Sequence, residues 1–185
     1  MKKIMFNDKY GLTDAVLQGR KTMTRRIVKD GTPLGNWGET EKYAKYKIGE
    51  VVAVAQSYKS IFEESLNCAL PRYHWLDDHI DEKGFENKMF VKSSEMTHQI
   101  RITGINLERL QDISDKDCLK EGVVEKRVDE ICYTVGDFYL YDEIKRMRAF
   151  NTPRDAFAAL IDKVSGKGTW KSNPWVFAYT FELVR

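Results

Sequence analysis

The stretch Gly19-Arg20-Lys21-Thr22-Met23-Thr24-Arg25-Arg26 concentrates side chains able to do chemistry. Residues 20–29 hold Arg20, Lys21, Arg25, Arg26 and Lys29 and no acid. A cation-rich turn directly after a helix stop is well placed to meet an anion. Lys21 stands close in sequence to three arginines. Like charge and burial both lower an ammonium's pKa toward that of a useful base. Thr24 carries a hydroxyl that such a base can activate. The plainer reading of the same residues is a solvated cationic surface, with the threonine serving a turn.

Other chemistry-bearing residues are less ordered in sequence. His74, Asp77, Asp78 and His79 are of metal-ligand type. No helix or strand spacing fixes them, so a solvated acidic loop is the stronger reading and no metal is expected. His98 follows Met96-Thr97 in a strand-edge turn and reads as a surface histidine. Trp37, Trp75 and Trp170 can stack on nucleobases, a contact worth roughly 1–3 kcal/mol per base. The competing reading is core packing, which suits Trp175 better than the loop-borne Trp37. Cys68, Cys118 and Cys132 are too few and too scattered for a disulfide framework or a CxxC metal site. Cys118 reads as a small buried residue.

The elements that position these groups follow from pattern. Lys3–Phe6 is a short strand. Leu12–Gln18 is a short helix, with Leu12, Ala15 and Val16 on one side and Gly19 at the left-handed position that ends it. Gly31–Gly38 is loop chemistry. Val51–Ala55 is a β-branched buried strand after Gly49-Glu50, and 57–86 is an irregular polar and aromatic excursion. Lys88–Val91 and Gln99–Ile105 read as strands, the second alternating polar and apolar residues. Ser114 caps a short helix running to Glu121 and stopped by Gly122. Thr152-Pro153 opens a clearer helix with Phe157, Leu160, Ile161 and Val164 on one face, ended by Gly166. Trp175, Phe177, Tyr179 and Phe181 share one face of a last strand.

Strands interrupted by short helices in no βαβ rhythm predict an α+β domain on a mixed or antiparallel sheet, curled into a small barrel. At 185 residues and 21.5 kDa the chain is expected to form a single domain over 1–185, with excursions near 57–86 and 123–150. Apolar residues make up 42%, with 4 Trp, 9 Tyr and 9 Phe, which argues against a disordered chain. The balance of 30 basic and 28 acidic residues is too even to argue for nucleic acid by itself. No apolar run approaches the ~20 residues of a membrane span. No secretory signal follows Lys2 and Lys3, so a cytoplasmic, reduced protein without a membrane partner is expected.

Gly19, Lys21, Thr24 and Arg26 reproduce GxKxxTxR, the pattern of the ASCH domain, a relative of the PUA RNA-binding fold. Other landmarks follow in the family's order. Gly49-Glu50 before Val51–Ala55 resembles its second strand. Asn87–Lys92, Met96-Thr97-His98 and Arg101-Ile102-Thr103 resemble the turn and following strand of phage-type ASCH proteins. Leu110–Ser114 through Glu121-Gly122 resembles the helix carrying an acidic residue. Trp170 with Asn173-Pro174-Trp175-Val176 resembles the closing strand.

The resemblance implies a PUA-like small mixed β-barrel with short flanking helices, and a cleft lined by the GxKxxTxR turn. One ASCH branch consists of amidohydrolases that remove the acetyl group of N4-acetylcytidine with a lysine, a threonine and a glutamate. These map onto Lys21, Thr24 and Glu121. In that scheme neutral Lys21 takes the Thr24 proton, Thr24 attacks the amide carbonyl, and Glu121 orients or reprotonates Lys21 or the leaving amine. Arg26 holds an oxyanion, ribose or phosphate oxygen. A near Glu121 raises the Lys21 pKa and the arginines lower it. Gln56, Arg101, Trp170 and Asn173 complete the implied substrate contacts. Where many phage-type members carry glutamate, this chain has Gln56, which cannot act as a base but can donate to and accept from a base edge. No cofactor is implied. The expected ligand is a modified nucleoside or RNA. Hydrolysis, binding without chemistry, and the ribonuclease activity of other ASCH proteins all stay open.

Overall fold

The structure, a computed structural model, describes residues 1–66, 73–127, 131–135, 140–141 and 147–184. Its strands are β1 (Lys3–Ile4), β2 (Met23–Ile27), β3 (Val51–Val54), β4 (Gln99–Arg109), β5 (Val123–Arg127), β6 (Ile131–Val135), β7 (Leu140–Tyr141), β8 (Met147–Arg148) and β9 (Trp175–Val184). Its helices are α1 (Leu12–Leu17), α2 (Trp37–Thr40), α3 (Tyr58–Ser65), α4 (Tyr73–His79), α5 (Asp115–Lys120), α6 (Pro153–Ser165) and α7 (Thr169–Ser172). The principal sheet is mixed, in the order β1-β3-β4-β9-β2, and β5-β6 and β7-β8 form two hairpins. The α+β class expected from the sequence is therefore present. Among the described residues no closed barrel is found: β1 and β2 stand at the two ends of the five-stranded order, and closure would need such ends to pair. Among the described residues no helix is long and apolar enough to cross a membrane.

The chain divides into two compact units. The first comprises Met1–Phe6, Val51–Arg101 and Leu183–Arg185. Here β1 runs parallel to β3 (Lys3 opposite Ala53), and β3 is antiparallel to the start of β4 (Val51 opposite Arg101). Val52, Ala53 and Val54 are all buried, which is why a run with no polar alternation forms this strand. Ala53, Ala55, Tyr58, Ile61, Val91 and Met96 make its core, with Met5, Trp75 and Phe85 packed against it.

Two expectations fail in this unit. Within 57–86, read as irregular, the described residues hold α3 and α4. Tyr58, Ile61 and Ser65 bury one helical face of α3, and Ser57 caps it by accepting from the Ser60 amide at 3.1 Å. Lys88–Val91 is a turn rather than a strand. Lys3 Nζ donates to the carbonyls of Lys88 (3.1 Å), Met89 (2.6 Å) and Val91 (2.7 Å), and the neighbouring Lys88 and Met89 carbonyls turned to one ammonium depart from the alternation of an extended strand. Of the proposed metal-ligand group, His79 stacks on Tyr58 with centroids 4.1 Å apart and its Nδ1 lies 2.9 Å from Glu82. Among the described residues no cluster of three or more potential ligands forms. Cys68 lies outside the described residues.

The second unit comprises Asn7–Glu50 and Ile102–Glu182. β2 pairs antiparallel with β9, Thr24 opposite Tyr179 and Arg26 opposite Phe177. Phe177, Tyr179 and Phe181 are buried, as their shared face predicts. Tyr179 spends its hydroxyl on the Lys45 amide at 3.0 Å. Ser114 caps α5 and Thr152 caps α6, each hydroxyl accepting an amide in the first turn. α6 buries Ala156, Phe157, Leu160 and Ile161 and packs on α5, β5 and β6, whereas Val164, at its last turn, is exposed.

Candidate functional site

The turn after α1 sets the site. Gly19 takes φ +72°, ending the helix as expected. The Lys21 amide then donates back to Ala15 O, and the Thr22 amide to Lys120 O, both at 2.9 Å. The second bond moors the turn to the last residue of α5. Gly122 follows with φ +101°, and a Cβ there would lie 3.1 Å from Leu12 Cδ2 and 3.7 Å from Lys21 Cδ. Only glycine lets the two segments approach this closely.

That approach brings together residues 100 apart in sequence. Lys21 Nζ donates to Glu121 Oε2 at 2.6 Å and to the Glu121 carbonyl at 2.7 Å. Lys21 is 2% exposed and Glu121 4%. The other Glu121 oxygen accepts from Arg25 at 3.1 Å. Arg25 in turn donates through Nε to Glu108 Oε1 at 2.7 Å, and its second terminal nitrogen lies 3.8 Å from Asp117. That same nitrogen is buried and has no aligned hydrogen bond, although Glu108 Oε1 is only 2.7 Å away. Lys21, Glu121, Arg25 and Glu108 thus form one chain of alternating charge within the second unit, buried at its first three members and partly exposed at Glu108.

Buried ion pairs cost solvation on both partners, so such a chain is not explained by stability alone. Its effect on Lys21 has a definite sign. Burial pulls the Lys21 pKa below that of a free lysine, and the positive charges of Arg26 and Arg25 add to this. The Glu121 carboxylate pulls the other way and does not win. Burial also pushes the nearby Cys118 thiol up to about 12, with the Arg25 charge opposing. Cys118 is thus an inert packing residue, as its sequence context suggests.

Of the three groups mapped as catalytic, two meet. Thr24 is 5% exposed, and its hydroxyl makes no hydrogen bond among the described residues, to Lys21 or to anything else. Strand alternation explains this: Thr24 and Arg26 point to one face of β2, and Arg25 to the other, where Glu121 lies. Arg26 is half-buried on the Thr24 face. Trp170 and Asn173 hold the corner between α7 and β9. Asn173 sits at φ +46°, and its Oδ1 accepts the Gln111 amide at 2.8 Å. The Trp170 carbonyl accepts from Gln111 Nε2, and its ring meets Phe157 edge-on and carries the Arg154 guanidinium 5.4 Å above it. Gln56 and Arg101 belong to the first unit. Gln56 is buried and donates to Glu64 at 2.8 Å, and its oxygen accepts both the amide and the hydroxyl of Thr97. Arg101 is exposed, opposite Val51.

Sequence reading gave Arg25 no role beyond its charge and missed Glu108 altogether. The signal for Arg25 was present, since β2 alternation sets it apart from Thr24. Glu108 carried none until β4 was seen to run on to Arg109, beyond the expected end at Ile105. Glu108 also lines a pocket of about 600 Å³ within the second unit, together with Leu34, Trp37, Ile48, Ile105 and Asn106. Lys21, Thr24 and Glu121 do not line it. Comparison of the chain with family models, with curated proteins and with solved structures finds no match.

Proposed function

We propose that this chain is an ASCH-like domain that binds a modified nucleoside or a single nucleobase of RNA. One observation carries the reading: the buried Lys21–Glu121–Arg25 chain ends on Glu108, and Glu108 stands in the wall of a pocket large enough for a nucleoside. The GxKxxTxR spacing of Gly19, Lys21, Thr24 and Arg26 supports it from the sequence side. The PUA-like barrel belongs to the same proposal, supported by the mixed sheet and its short helices.

A second reading, hydrolysis of an N4-acylated cytosine, is favoured by the lowered pKa of Lys21, which suits a base. In that scheme Lys21 takes the Thr24 proton, the Thr24 oxygen bonds to the acyl carbon, and the amine leaves with the proton that Lys21 returns. Water then releases the acyl group. Both residues are nearly inaccessible and the Thr24 hydroxyl does not reach Lys21, so this chemistry needs a rearrangement that binding alone does not.

Titration calorimetry with N4-acetylcytidine, and with single-stranded RNA at 50 and 200 mM salt, tests the proposal. Nucleoside binding should change little with salt, whereas a phosphate-gripping RNA module loses affinity steeply through counterion release. If neither ligand binds, the proposal is rejected. If Lys21→Met deacetylates N4-acetylcytidine at the wild-type rate, the hydrolytic scheme falls and binding stands.

A further inference from the structure

The second unit turns apolar side chains toward solvent around one pocket. Trp37 is 42% exposed and Ile48 58%, and Leu34 is exposed beside them. Exposed apolar groups gathered in a concavity mark a binding surface more often than scattered ones do. Trp37 opens α2, where the Asn36 side chain accepts the Gly38 amide at 2.9 Å and fixes the turn that presents the indole. The pocket therefore has a preset aromatic platform.

Its polar side chains are Asn106 and Glu108, and only Glu108 carries charge. Oε1 is occupied by Arg25, but Oε2 makes no hydrogen bond among the described residues. A carboxylate accepts hydrogen bonds and donates none. Its free oxygen thus rewards an N–H and penalises a carbonyl at the same place. The Arg25 charge balances the carboxylate, which weakens the case for a cationic ligand and favours a neutral N–H donor.

We propose that this pocket is a base-specificity site, in which Trp37 stacks on a flat heterocycle and Glu108 Oε2 accepts from its exocyclic amino group. The ligand class is an amino-bearing base such as cytosine or adenine, against the oxo-bearing uracil or hypoxanthine. This rests on the nucleoside-binding reading above and adds to it which edge is read and by which residues. Stacking is sequence-tolerant, so Trp37 supplies affinity and Glu108 supplies choice.

The test is calorimetric titration of the full chain with cytidine, uridine and tetramethylammonium. Wild type should prefer cytidine to uridine by roughly 10- to 150-fold, the range for a hydrogen bond to a charged acceptor. Glu108→Gln should erase that preference. Trp37→Ala should weaken both nucleosides by roughly 5- to 150-fold and leave their ratio unchanged. Trp37 is exposed and shares no hydrogen bond with the ion chain among the described residues, so this variant remains informative if Glu108→Gln fails to fold. Equal binding of cytidine and uridine, or binding unchanged in Trp37→Ala, overturns this site while nucleoside binding stands. Binding of tetramethylammonium in preference to cytidine overturns it in favour of a cation cage. If no nucleoside binds wild type, N4-acetylcytidine included, the parent reading fails and this site with it.

Discussion

Replacing Glu121 by Gln should be among the most damaging single changes in the second unit, and its cost should depend on pH. The substitution keeps the size of the side chain and removes the carboxylate that Lys21 and Arg25 share. Arg25 still has Glu108 at 2.7 Å. Lys21, 2% exposed, keeps the backbone carbonyl of residue 121 at 2.7 Å but loses the negative charge that offsets its own. Removing one partner of a buried pair typically costs about 3–5 kcal/mol. An independent ceiling comes from the lysine itself, which can give up its proton instead of staying charged. Its ordinary pKa is 10.5, so neutralising it costs about 5 kcal/mol at pH 7 and about 2 kcal/mol at pH 9. The two routes agree on about 3–5 kcal/mol at pH 7, a fall in Tm of about 6–20 °C for a chain of this size.

The sign is fixed by linkage. The folded-state pKa of Lys21 lies below its unfolded value, so the unfolded chain holds more protons and stability from this group rises with pH up to about 10.5. Glu121 holds that folded-state pKa up, so removing its carboxylate lowers it further and the deficit of Glu121→Gln relative to wild type should shrink between pH 7 and pH 9. Urea unfolding followed by tryptophan fluorescence at both values measures it. Adding Lys21→Met should recover part of the loss, because it removes the stranded charge and leaves an apolar stem of similar length. A deficit below about 1 kcal/mol at pH 7, or one that does not narrow by pH 9, would refute the burial of the lysine as described.

Two more outcomes follow from the same region. Gly122→Ala should cost about 1–3 kcal/mol in denaturant unfolding, because φ +101° is strained for any side chain and the new methyl would crowd Leu12. Cys118 should resist iodoacetamide at pH 8 in the native chain, with peptide mapping showing it alkylated only after denaturant is added. Its thiol is held up near 12, so the unfolded chain ionises first and stability from this group falls as pH rises above about 9.

Local rules carried far in this sequence. Gly19, Ser114, Thr152 and Gly166 are read correctly as helix punctuation because each acts within one turn of chain. The aromatic face of β9 is legible because a period of two needs only five residues to show. What could not be read depends on distant partners. Lys88–Val91 looks like a strand until Lys3 is known to gather its carbonyls from 85 residues away. Residues 20–26 look like one cationic turn, yet strand pairing sends Thr24 and Arg25 to opposite faces, and only Arg25 joins Lys21 at Glu121. That Lys21 and Glu121 meet is expected only from the resemblance of 19–26 to a GxKxxTxR pattern, not from any property of either residue's neighbours.

The alternating chain of Lys21, Glu121, Arg25 and Glu108 balances two cations against two carboxylates, three of the four groups nearly out of reach of water. Drift at any one of these four positions should therefore be tolerated only with a matching change at another. Across descendants of this sequence, positions 21, 25, 108 and 121 are expected to vary as a bloc. The surface cations Arg20 and Lys29, a few residues away, are free to wander alone.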